Sequence, residues 1–369
     1  MKRCNYLVDC HCFDSNLSQG ITTYIEGIYK YLPHIAKDIS FYFVASDLNK
    51  IQNIFGYGDN IKYIPLKAKN RINRLFFEIP QIIKKYNIEY AHYQYICPFI
   101  KNCKTIVTLH DILFVDYPQY FPFTYRLFKG LMFKISARRA DMLCTVSEYS
   151  RGQISQHYKI NKDEIVITPN AVSKEFYSIN GDKPDFFPEK YILYVSRIEP
   201  RKNHIAIIKA FERLKLADED YNLVFIGKET VATPEFHQKI DRLPNKIKSK
   251  IRIISQAPFS ELKLWYKYAS LFVYPTFAEG FGIPPIEAAV VGIPVICNNS
   301  TAMSDFSFFG KNLIDISNEN VLDDRIKESL CNQSYYLKSI SQKVKQIYDW
   351  QTIAMNFKKS LDKLNYQSR

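Results

Sequence analysis

Short apolar runs alternate with helical stretches along almost the whole chain, and this alternation constrains the fold more than any other feature of the sequence. Residues 5–13, 41–46 and 191–196 have the length and composition of buried strands, and amphipathic stretches such as 21–32 and 203–216 follow strands. Because parallel strands are joined by helical crossovers, the pattern predicts an α/β protein with doubly wound parallel sheets. With 369 residues, the chain has room for two such domains.

The remaining predicted elements continue the same order. The other expected strands are 62–66, 90–95, 105–111, 142–147, 222–227, 251–255 and 271–275. The other expected helices are 74–86, 125–141, one that begins at 147–158, 235–250, 259–268 and 347–364. Between the two halves, the segment from Ser173 to Glu189 contains Gly181, Pro184 and Pro188, a composition that predicts an interdomain linker.

Composition is that of an ordinary globular protein. The residues are 47% hydrophobic and 24% charged, a balance that excludes a disordered chain. No apolar run approaches the roughly 20 residues that span a bilayer. Asp9 interrupts the apolar stretch near the start, so we expect no secretion leader and a cytoplasmic location.

Eight cysteines are scattered along the chain, mostly within apolar runs. The triplet Cys10-His11-Cys12 has the residue types of a metal site. On a strand, however, the two cysteines would point away from His11, and no second pair of ligands follows. A structural zinc is therefore disfavoured, and we expect thiols that the cytosol keeps reduced.

Basic residues are unevenly distributed over a chain whose formal net charge is +13. Nine lysines and arginines lie within 62–104 against Glu78 and Glu89, and residues 125–141 alternate bulky apolar and basic residues at helical spacing. Such a face suits an anionic membrane surface or a polyanionic acceptor. A core helix with a solvated basic side would have the same pattern. No nucleic-acid recognition module is evident, so we expect no nucleic-acid partner.

The segment 271–295 predicts a strand, a glycine-rich turn and a helix. The turn and helix signals are Gly280, Phe281, Gly282, Pro284, Pro285 and Gly292. Glycines let backbone amides approach a ligand without obstruction by Cβ. Proline suits the start of a helix, and glycine suits the residue after its end.

Two glutamates of this segment, Glu279 and Glu287, are candidate ligand-binding residues. Glu287 is expected in the first turn of the helix, and Glu279 in the loop before it. One carboxylate there can accept both hydroxyls of a ribose and the other the hydroxyls of a second sugar, while nearby amides receive oxyanions. The alternative is that both are ordinary residues of a loop and a helix terminus.

Other polar side chains are expected at the carboxyl ends of strands, where open α/β sheets bind ligands. Arg197 follows the strand 191–196, and Lys202 directly precedes Asn203, a good helix N-cap residue. Two cations beside a helix N-terminus form a strong diphosphate site. His110 ends the predicted strand 105–111. Neither a Gly-x-Gly-x-x-Gly nor a Walker-type loop is present, which disfavours a dinucleotide oxidoreductase and a P-loop enzyme.

The segment 271–295, together with the block 191–214, resembles the retaining glycosyltransferases of family 4, which have the GT-B fold. The resemblance extends more weakly over nearly the whole chain. It implies two Rossmann-like domains facing a central cleft: an acceptor-binding domain over 1–178, a nucleotide-sugar-binding domain over 185–345, and a C-terminal helix over 346–369 that crosses back onto the first domain.

The resemblance also implies roles for individual residues. The positions that match the nucleotide-sugar site are Gly20, Ser147, Asn170, Arg197, Lys202, Gly280, Phe281, Gly282, Ile283 and Glu287. The residues expected at the reacting centre are His110, Arg197, Lys202 and Glu279. Two positions depart from the family pattern. Gly20 follows Ser18-Gln19 where the family has two adjacent glycines, and Asn170 is followed by alanine in place of glycine.

The implied reaction moves a hexose from a nucleotide diphosphate sugar to a hydroxyl with retention at the anomeric carbon. The style of the motifs resembles bacterial mannosyltransferases of surface-polysaccharide assembly, so GDP-mannose is the leading donor and UDP-hexoses stay open. The expected acceptor is a glycan, in particular a lipid-diphosphate-linked saccharide, with a peripheral contact to the inner face of an anionic membrane. No cofactor and no metal is expected, because Arg197, Lys202 and helix amides would offset the leaving-group charge.

Two other function classes remain open. The same architecture hosts sugar-nucleotide epimerases and phosphorylases. A non-catalytic scaffold of a polysaccharide assembly complex is the second; the departure at Gly20 favours it, and intact Arg197, Lys202, Glu279 and Glu287 count against it.

Overall fold

The computed structural model describes residues 3–14, 20–331 and 336–366, and the chain divides into two compact units. The first unit contains residues 1–171 and 348–369, and the second contains residues 172–347. The polypeptide therefore leaves the first unit, completes the second and returns.

The first unit is built on a parallel sheet that has seven strands within the described ranges, in the order β3-β2-β1-β4-β5-β6-β7. The strands are β1 Cys4–Asp9, β2 Ile39–Ala45, β3 Ile61–Pro65, β4 Tyr90–Gln94, β5 Lys104–Thr108, β6 Met142–Thr145 and β7 Ile165–Ile167. All residues of β2 and β4 are buried, as expected for strands covered on both faces. The expectation of a doubly wound parallel sheet is confirmed.

Helices connect these strands. They are α1 Gly20–Tyr29, α2 Leu32–Ile35, α3 Leu48–Phe55, α4 Arg71–Asn73, α5 Ile79–Lys85, α6 Leu113–Asp116, α7 Phe123–Arg139 and α8 Glu148–Tyr158. A π-helical turn over Arg74–Glu78 joins α4 to α5. The apolar sides of α5 and α7 contribute Ile79, Ile83 and Phe133 to the buried core.

The second unit repeats the architecture with a parallel sheet of six strands in the part of the chain that is described, ordered β10-β9-β8-β11-β12-β13. The strands are β8 Lys190–Val195, β9 Tyr221–Ile226, β10 Ile251–Ile254, β11 Leu271–Tyr274, β12 Val295–Asn298 and β13 Leu313–Ile314. The helices are α9 His204–Arg213, α10 Pro234–Asp241, α11 Asn245–Lys248, α12 Phe259–Lys267, α13 Ile283–Val291, α14 Glu319–Cys331 and α15 Tyr336–Ile347.

The last helix, α16 over Trp350–Tyr366, belongs to the first unit. It packs against α1 and α2, and its Phe357 is fully buried with its ring stacked 5.5 Å from that of His92. Trp350 lies so close to Gly27 of α1 that a Cβ at Gly27 would overlap the indole ring. Glycine at this position allows the two helices to approach closely.

The segment Ser173–Glu189, expected to be a linker, runs between β7 and β8, belongs to the second unit and packs onto it through two aromatic side chains. Phe176 lies against the rings of Phe259 and Tyr266, and Phe187 stacks on Trp265 at 3.5 Å. These aromatic contacts bury Phe176 and Phe187, whereas residues such as Lys174, Asp182 and Phe186 of the same segment are exposed. The observed boundaries, 171/172 and 347/348, accordingly differ from those expected at 178, 185 and 346.

Three predicted elements are shorter than expected. Strand β1 ends at Asp9, whose carboxylate accepts the backbone N–H of His11 at 3.2 Å and begins a 3₁₀ turn. Cys10 and Cys12 therefore do not alternate on a strand. Strand β5 ends at Thr108, two positions before His110. The helix expected over 235–250 breaks into α10 and α11 at Pro244, as proline disfavours a helical residue before it.

Within residues 3–14, 20–331 and 336–366, none of the helices has both the length and the apolar character needed to cross a membrane.

Candidate functional site

The segment after β11 has the predicted strand–turn–helix form. Gly282 is the N-cap residue of α13 with φ of +100°, and Gly292 follows its last residue with φ of +93°. Both angles lie in the left-handed region that glycine tolerates. Glu279 lies in the loop, as predicted. Glu287 is the fifth residue of the helix and lies in the second turn, so its expected place in the first turn is wrong.

Two prolines shape the amino end of α13. Pro284 and Pro285 are its second and third residues and carry no backbone N–H. The first turn of a helix normally offers four unpaired N–H groups. In the first turn of α13, the remaining N–H groups are those of Ile283 and Ile286. The amides of the preceding glycine-rich turn lie beside them. Anion binding here would accordingly depend on the turn around Phe281.

Glu279 occupies the centre of a buried polar cluster in the second unit. Its Oε1 accepts hydrogen bonds from Lys202 Nζ and from the hydroxyls of Tyr274 and Thr276, both at 3.0 Å. Its Oε2 accepts from Arg201 Nη1 at 3.3 Å. Burial alone would raise the pKa of Glu279, but Lys202 and Arg201 overcome this effect and lower it to about 2. The carboxylate is therefore ionised and fixed.

The two cations of the cluster come from one 3₁₀ turn, Pro200–Lys202. Lys202 is 6% exposed, and burial together with Arg201 lowers its pKa to about 8, so it stays protonated at neutral pH. Arg201 also donates to the Ala278 carbonyl at 2.7 Å and contacts Glu199 at 3.0 Å. Asn203 occupies the N-cap position of α9, as predicted, but its side chain makes no capping hydrogen bond.

Arg197 differs from Lys202 in its surroundings. Its side chain is 54% exposed, and its Nε lies 3.0 Å from Glu199 Oε1. Because Glu199 contacts both Arg197 and Arg201, it links an accessible cation to the buried cluster. Arg197 therefore presents a positive charge to solvent, and Lys202 holds a second positive charge in the buried cluster.

Glu287 is a partly buried carboxyl group held by one neighbour. Its Oε2 accepts a hydrogen bond from the Tyr266 hydroxyl of α12 at 2.8 Å. Burial raises the pKa of Glu287 to about 7, and the Tyr266 hydrogen bond opposes this shift only in part. The side chain therefore changes protonation near neutral pH. In its ionised form it has oxygen lone pairs left to accept hydroxyl groups of a ligand.

His110 lies in the first unit within a chain of buried polar residues. Its Nε2 is 2.8 Å from Gln94 Oε1, and the Gln94 amide nitrogen is 3.2 Å from His92 Nε2. His92 Nδ1 lies 2.6 Å from the Tyr29 hydroxyl. Burial lowers the pKa of His110 to about 3, so the ring is neutral. Because Gln94 Oε1 can only accept, Nε2 carries the hydrogen and Nδ1 is an acceptor.

The other predicted site residues of the first unit have different environments. Ser147 is the N-cap residue of α8 and accepts the Ser150 N–H at 3.0 Å. Asn170 is 3% exposed, and its Oδ1 has no hydrogen-bond partner among the described residues. Gly20 is the exposed first residue of α1, and a Cβ there would meet no atom within 4 Å. Ser18 and Gln19 lie outside the described residues.

Sequence reasoning missed three residues that hold the candidate site together: Arg201, Tyr266 and Gln94. Arg201 directly precedes Lys202, so its charge was a signal that could have been used. Tyr266 and Gln94 reach Glu287 and His110 across the fold, from α12 and β4, and nothing local marks them. The acidic stretch Asp218-Glu219-Asp220 is an exposed turn in which Lys246 pairs with Asp218 at 2.6 Å.

Comparison with protein families identifies the chain. A family described as "Glycosyl transferases group 1" matches residues 182–346, and one described as "Glycosyltransferase Family 4" matches residues 19–176. The matches cover most of both compact units. The chain belongs to the glycosyltransferases that combine these two domains, and its two parallel sheets form the GT-B fold. This confirms the resemblance inferred from the two sequence blocks.

Several individual proteins are similar to the chain. O-antigen chain mannosyltransferase B of Escherichia coli is 28% identical over 242 residues, 63% of this chain and 62% of the relative. O-antigen chain mannosyltransferase RfbU of Salmonella typhimurium is 31% identical over 204 residues, 55% of this chain and 53% of the relative. The matches thus span between half and two thirds of these relatives. Sucrose-phosphate synthase of Thermosynechococcus elongatus shares the fold, with a TM-score of 0.77 and 17% identity over 99% of this chain and 100% of that chain.

Proposed function

We propose that this glycosyltransferase moves a hexose from a nucleotide diphosphate sugar to a hydroxyl of a growing, lipid-linked surface polysaccharide, with retention at the anomeric carbon. The observation that carries the proposal is the buried cluster of Lys202, Arg201 and Glu279 beside the amino end of α13. A cluster of this kind costs desolvation energy, which favours a role in holding charge over a role in stability alone.

The donor is proposed to bind along this cluster. Glu287 accepts the two ribose hydroxyls, and Arg197 and Lys202 offset the charge of the diphosphate. The amides of Gly280, Phe281, Gly282 and Ile283 complete the anion site. Glu279 orients the hydroxyls of the transferred sugar, a role for which its fixed, ionised carboxylate is suited. These roles are supported by the position of each residue near α13 or near the turn Pro200–Lys202.

Residues of the first unit are proposed to serve the sugar and the acceptor. His110 offers a neutral ring whose Nδ1 can accept a hydrogen bond from a sugar hydroxyl, since Nε2 is engaged by Gln94. Asn170 offers a buried carbonyl oxygen that has no partner among the described residues. Gly20 and Ser147 are proposed to contact the donor through their backbone, as the resemblance implies.

The proposed reaction needs no divalent metal and no covalent intermediate. The bond between the anomeric carbon and the diphosphate oxygen breaks, and a new bond forms on the same face to the acceptor oxygen. The acceptor's hydroxyl proton passes to the departing diphosphate. Fixed positive charge near that leaving group stabilises the transition state, and such electrostatic stabilisation is commonly the largest protein contribution.

GDP-mannose is the donor we favour, with UDP-hexoses as the competing class. Support comes from the two relatives described as O-antigen chain mannosyltransferases. The same names support a polysaccharide acceptor. We place the reaction in the cytoplasm at the inner face of the cell membrane, where a lipid-linked glycan is accessible to a peripheral enzyme, and the basic residues of the first unit support this location.

A donor panel tests the proposal. The protein is incubated with GDP-mannose, UDP-glucose, UDP-galactose or UDP-N-acetylglucosamine and a lipid-diphosphate-linked saccharide, with EDTA or with magnesium. We expect one donor to extend the acceptor saccharide with retention at the anomeric carbon. The rate should be the same with EDTA as with magnesium. An epimerised or phosphorolysed sugar in place of an extended acceptor would contradict transfer. If none of the donors raises the unfolding temperature in a thermal-shift assay, the protein binds no nucleotide, and the scaffold alternative is favoured.

A further inference from the structure

We propose that the first unit binds an anionic phospholipid bilayer through one surface, the α7 surface, formed by α7, residues 67–77 and residues 99–101. This inference rests on the membrane contact proposed above and names the residues that make it. It does not depend on which sugar is transferred. Exposed apolar side chains would enter the interface, and basic side chains around them would contact lipid phosphates.

Helix α7 exposes large apolar side chains where a surface helix normally has polar residues. Phe123, Leu127, Phe128 and Leu131 are between 57% and 68% exposed. Phe123, Leu127 and Leu131 follow each other at intervals of four, so they form one stripe on the helix. The opposite side is anchored in the core by Phe133, which is 3% exposed and packs on Tyr95 and Phe114. The stripe is therefore held outward by a rigid helix.

Two neighbouring segments extend this apolar surface. Ile72, Phe77 and Ile100 are each at least 55% exposed. The ring of Phe76 lies 5.3 Å from that of Phe99, which joins the two segments. Arg139, the last residue of α7, donates to the Phe99 carbonyl at 2.7 Å. So many large exposed apolar side chains on linked segments are unusual for a monomeric protein and indicate an interaction surface.

Basic residues surround the apolar side chains. The exposed or partly exposed cations are Lys67, Lys69, Arg71, Lys101, Arg126, Lys129, Lys134, Arg138 and Arg139. Two nearby carboxylates are already engaged, one of them with Lys101 of this set. Glu78 accepts the backbone N–H groups of Lys67 and Ala68, and Asp141 pairs with Lys101 at 2.9 Å. The remaining positive charge is complementary to an anionic headgroup layer, which selects a bilayer over a neutral apolar partner.

Vesicle sedimentation tests the inference. Native protein should bind vesicles of phosphatidylglycerol and phosphatidylcholine, and binding should weaken with salt. The double variant L127S/F128S should lose at least about tenfold in partition, because two large apolar side chains would no longer be buried in the interface. The matched control is Phe186→Ser in the second unit, since Phe186 and Phe128 are both 58% exposed. It should bind like the native protein.

A charge variant separates the two components of binding. The double variant K69Q/K134Q should reduce partition about tenfold or more at low salt, since two basic residues would no longer attract the anionic headgroups. Its binding should also depend less on salt. Equal binding of L127S/F128S and native protein would overturn the inference. So would a native dimer, seen by sedimentation velocity, that L127S/F128S converts to a monomer, because the surface would then contact a second copy.

The same variants distinguish this inference from the proposed function. L127S/F128S should keep the native thermal shift with nucleotide, since these residues lie in the other unit from Glu287 and Lys202. Loss of vesicle binding with nucleotide binding retained supports the α7 surface. Retained vesicle binding by this variant, whatever its nucleotide affinity, contradicts it.

Discussion

At the scale of single residues, the candidate site depends on charges that the fold holds in fixed states. Glu279 is ionised because two cations from one turn outweigh the cost of its burial. Its lowered pKa means that the corresponding stability is present above about pH 4.5, the ordinary value, and is lost as the pH falls towards 2. Glu287 has the opposite behaviour, because burial raises its pKa and the hydrogen bond from Tyr266 only partly opposes this shift.

Replacing Lys202 by methionine should destabilise the second unit by about 3–5 kcal/mol, because the buried Glu279 would lose its closest cation. Adding Glu279→Gln to this variant should recover part of the loss. Lys209→Met removes an exposed pair with Glu319 and should cost no more than about 1 kcal/mol. Urea unfolding of the four proteins measures these differences. A Lys202→Met protein as stable as Lys209→Met would show that the cluster carries no buried charge.

The raised pKa of Glu287 predicts a pH dependence of nucleotide binding. If the ionised carboxylate accepts ribose hydroxyls as proposed, affinity should rise by about tenfold between pH 6 and pH 8 for a group titrating near 7. Glu287→Gln should bind more weakly at pH 8 and show a flat profile. Calorimetric titration with a nucleoside diphosphate measures both. A native profile as flat as that of the variant would assign the ribose to another group.

The raised pKa of Glu287 also determines whether the protein becomes more or less stable as the pH rises. Because the folded pKa of Glu287 is raised, its contribution to stability is complete below about pH 4.5 and is lost as the pH rises through 7. Glu287→Gln should therefore be more stable than the native protein above pH 7, in contrast to its weaker binding of nucleotide.

At the scale of elements, α13 was predictable from the sequence to a large extent. Gly282, the two prolines and Gly292 define its ends, and each acts through its own backbone chemistry. Glu287 lies one or two residues further into the helix than expected, in the second turn, because the helix begins at Ile283, before the prolines. The roles of Tyr266 and Gln94 could not be predicted, since each depends on which helix or strand packs beside it.

The segment expected to be a linker shows what composition alone does not reveal. Gly181, Pro184 and Pro188 are typical of connecting segments. Phe176 precedes these residues and Phe187 lies between the two prolines, and the rings of both phenylalanines have enough area to pack on α12. Aromatic residues within a glycine- and proline-containing stretch therefore indicated a packed segment, and the turn residues only set its path.

Gly282→Ala should reduce nucleotide affinity, whereas Gly292→Ala should not. Both glycines have φ near +100°, so alanine at either position should cost roughly 1–2 kcal/mol of stability through backbone strain. Only Gly282 adjoins the amides proposed to bind the diphosphate. Thermal unfolding with and without a nucleoside diphosphate separates the two effects. Equal ligand-induced shifts in both variants would argue against an anion site at the start of α13.

At the scale of the whole molecule, each unit has its own sheet, and the helix α16 completes the first unit. Gly27→Ala should destabilise the first unit by several kcal/mol, on the order of overpacking penalties or more, because Trp350 occupies the space of the added Cβ. Gly152→Ala, also within a helix of the first unit, meets no atom within 4 Å and should stabilise by up to about 1 kcal/mol.

Hydrogen exchange resolved by segment measures this pair of variants. Amides of β1 and β4 should exchange faster in Gly27→Ala and slower or unchanged in Gly152→Ala. Amides of β8 and β11 should be unaffected in both, since these strands belong to the second unit. Equal acceleration of all four strands in Gly27→Ala would mean that the two units unfold together.

The placement of α16 sets an order for folding during synthesis. The ribosome makes the strands of the first unit early, yet Trp350 and Phe357, which cover α1 and His92, emerge only after every residue of the second unit. Because domains generally fold as units during translation, the second unit can complete its core while the first still lacks a packing partner. The nascent first unit therefore exposes the face of α1 that contains Gly27 until translation of α16 is finished, and that face is where a chaperone would be expected to bind.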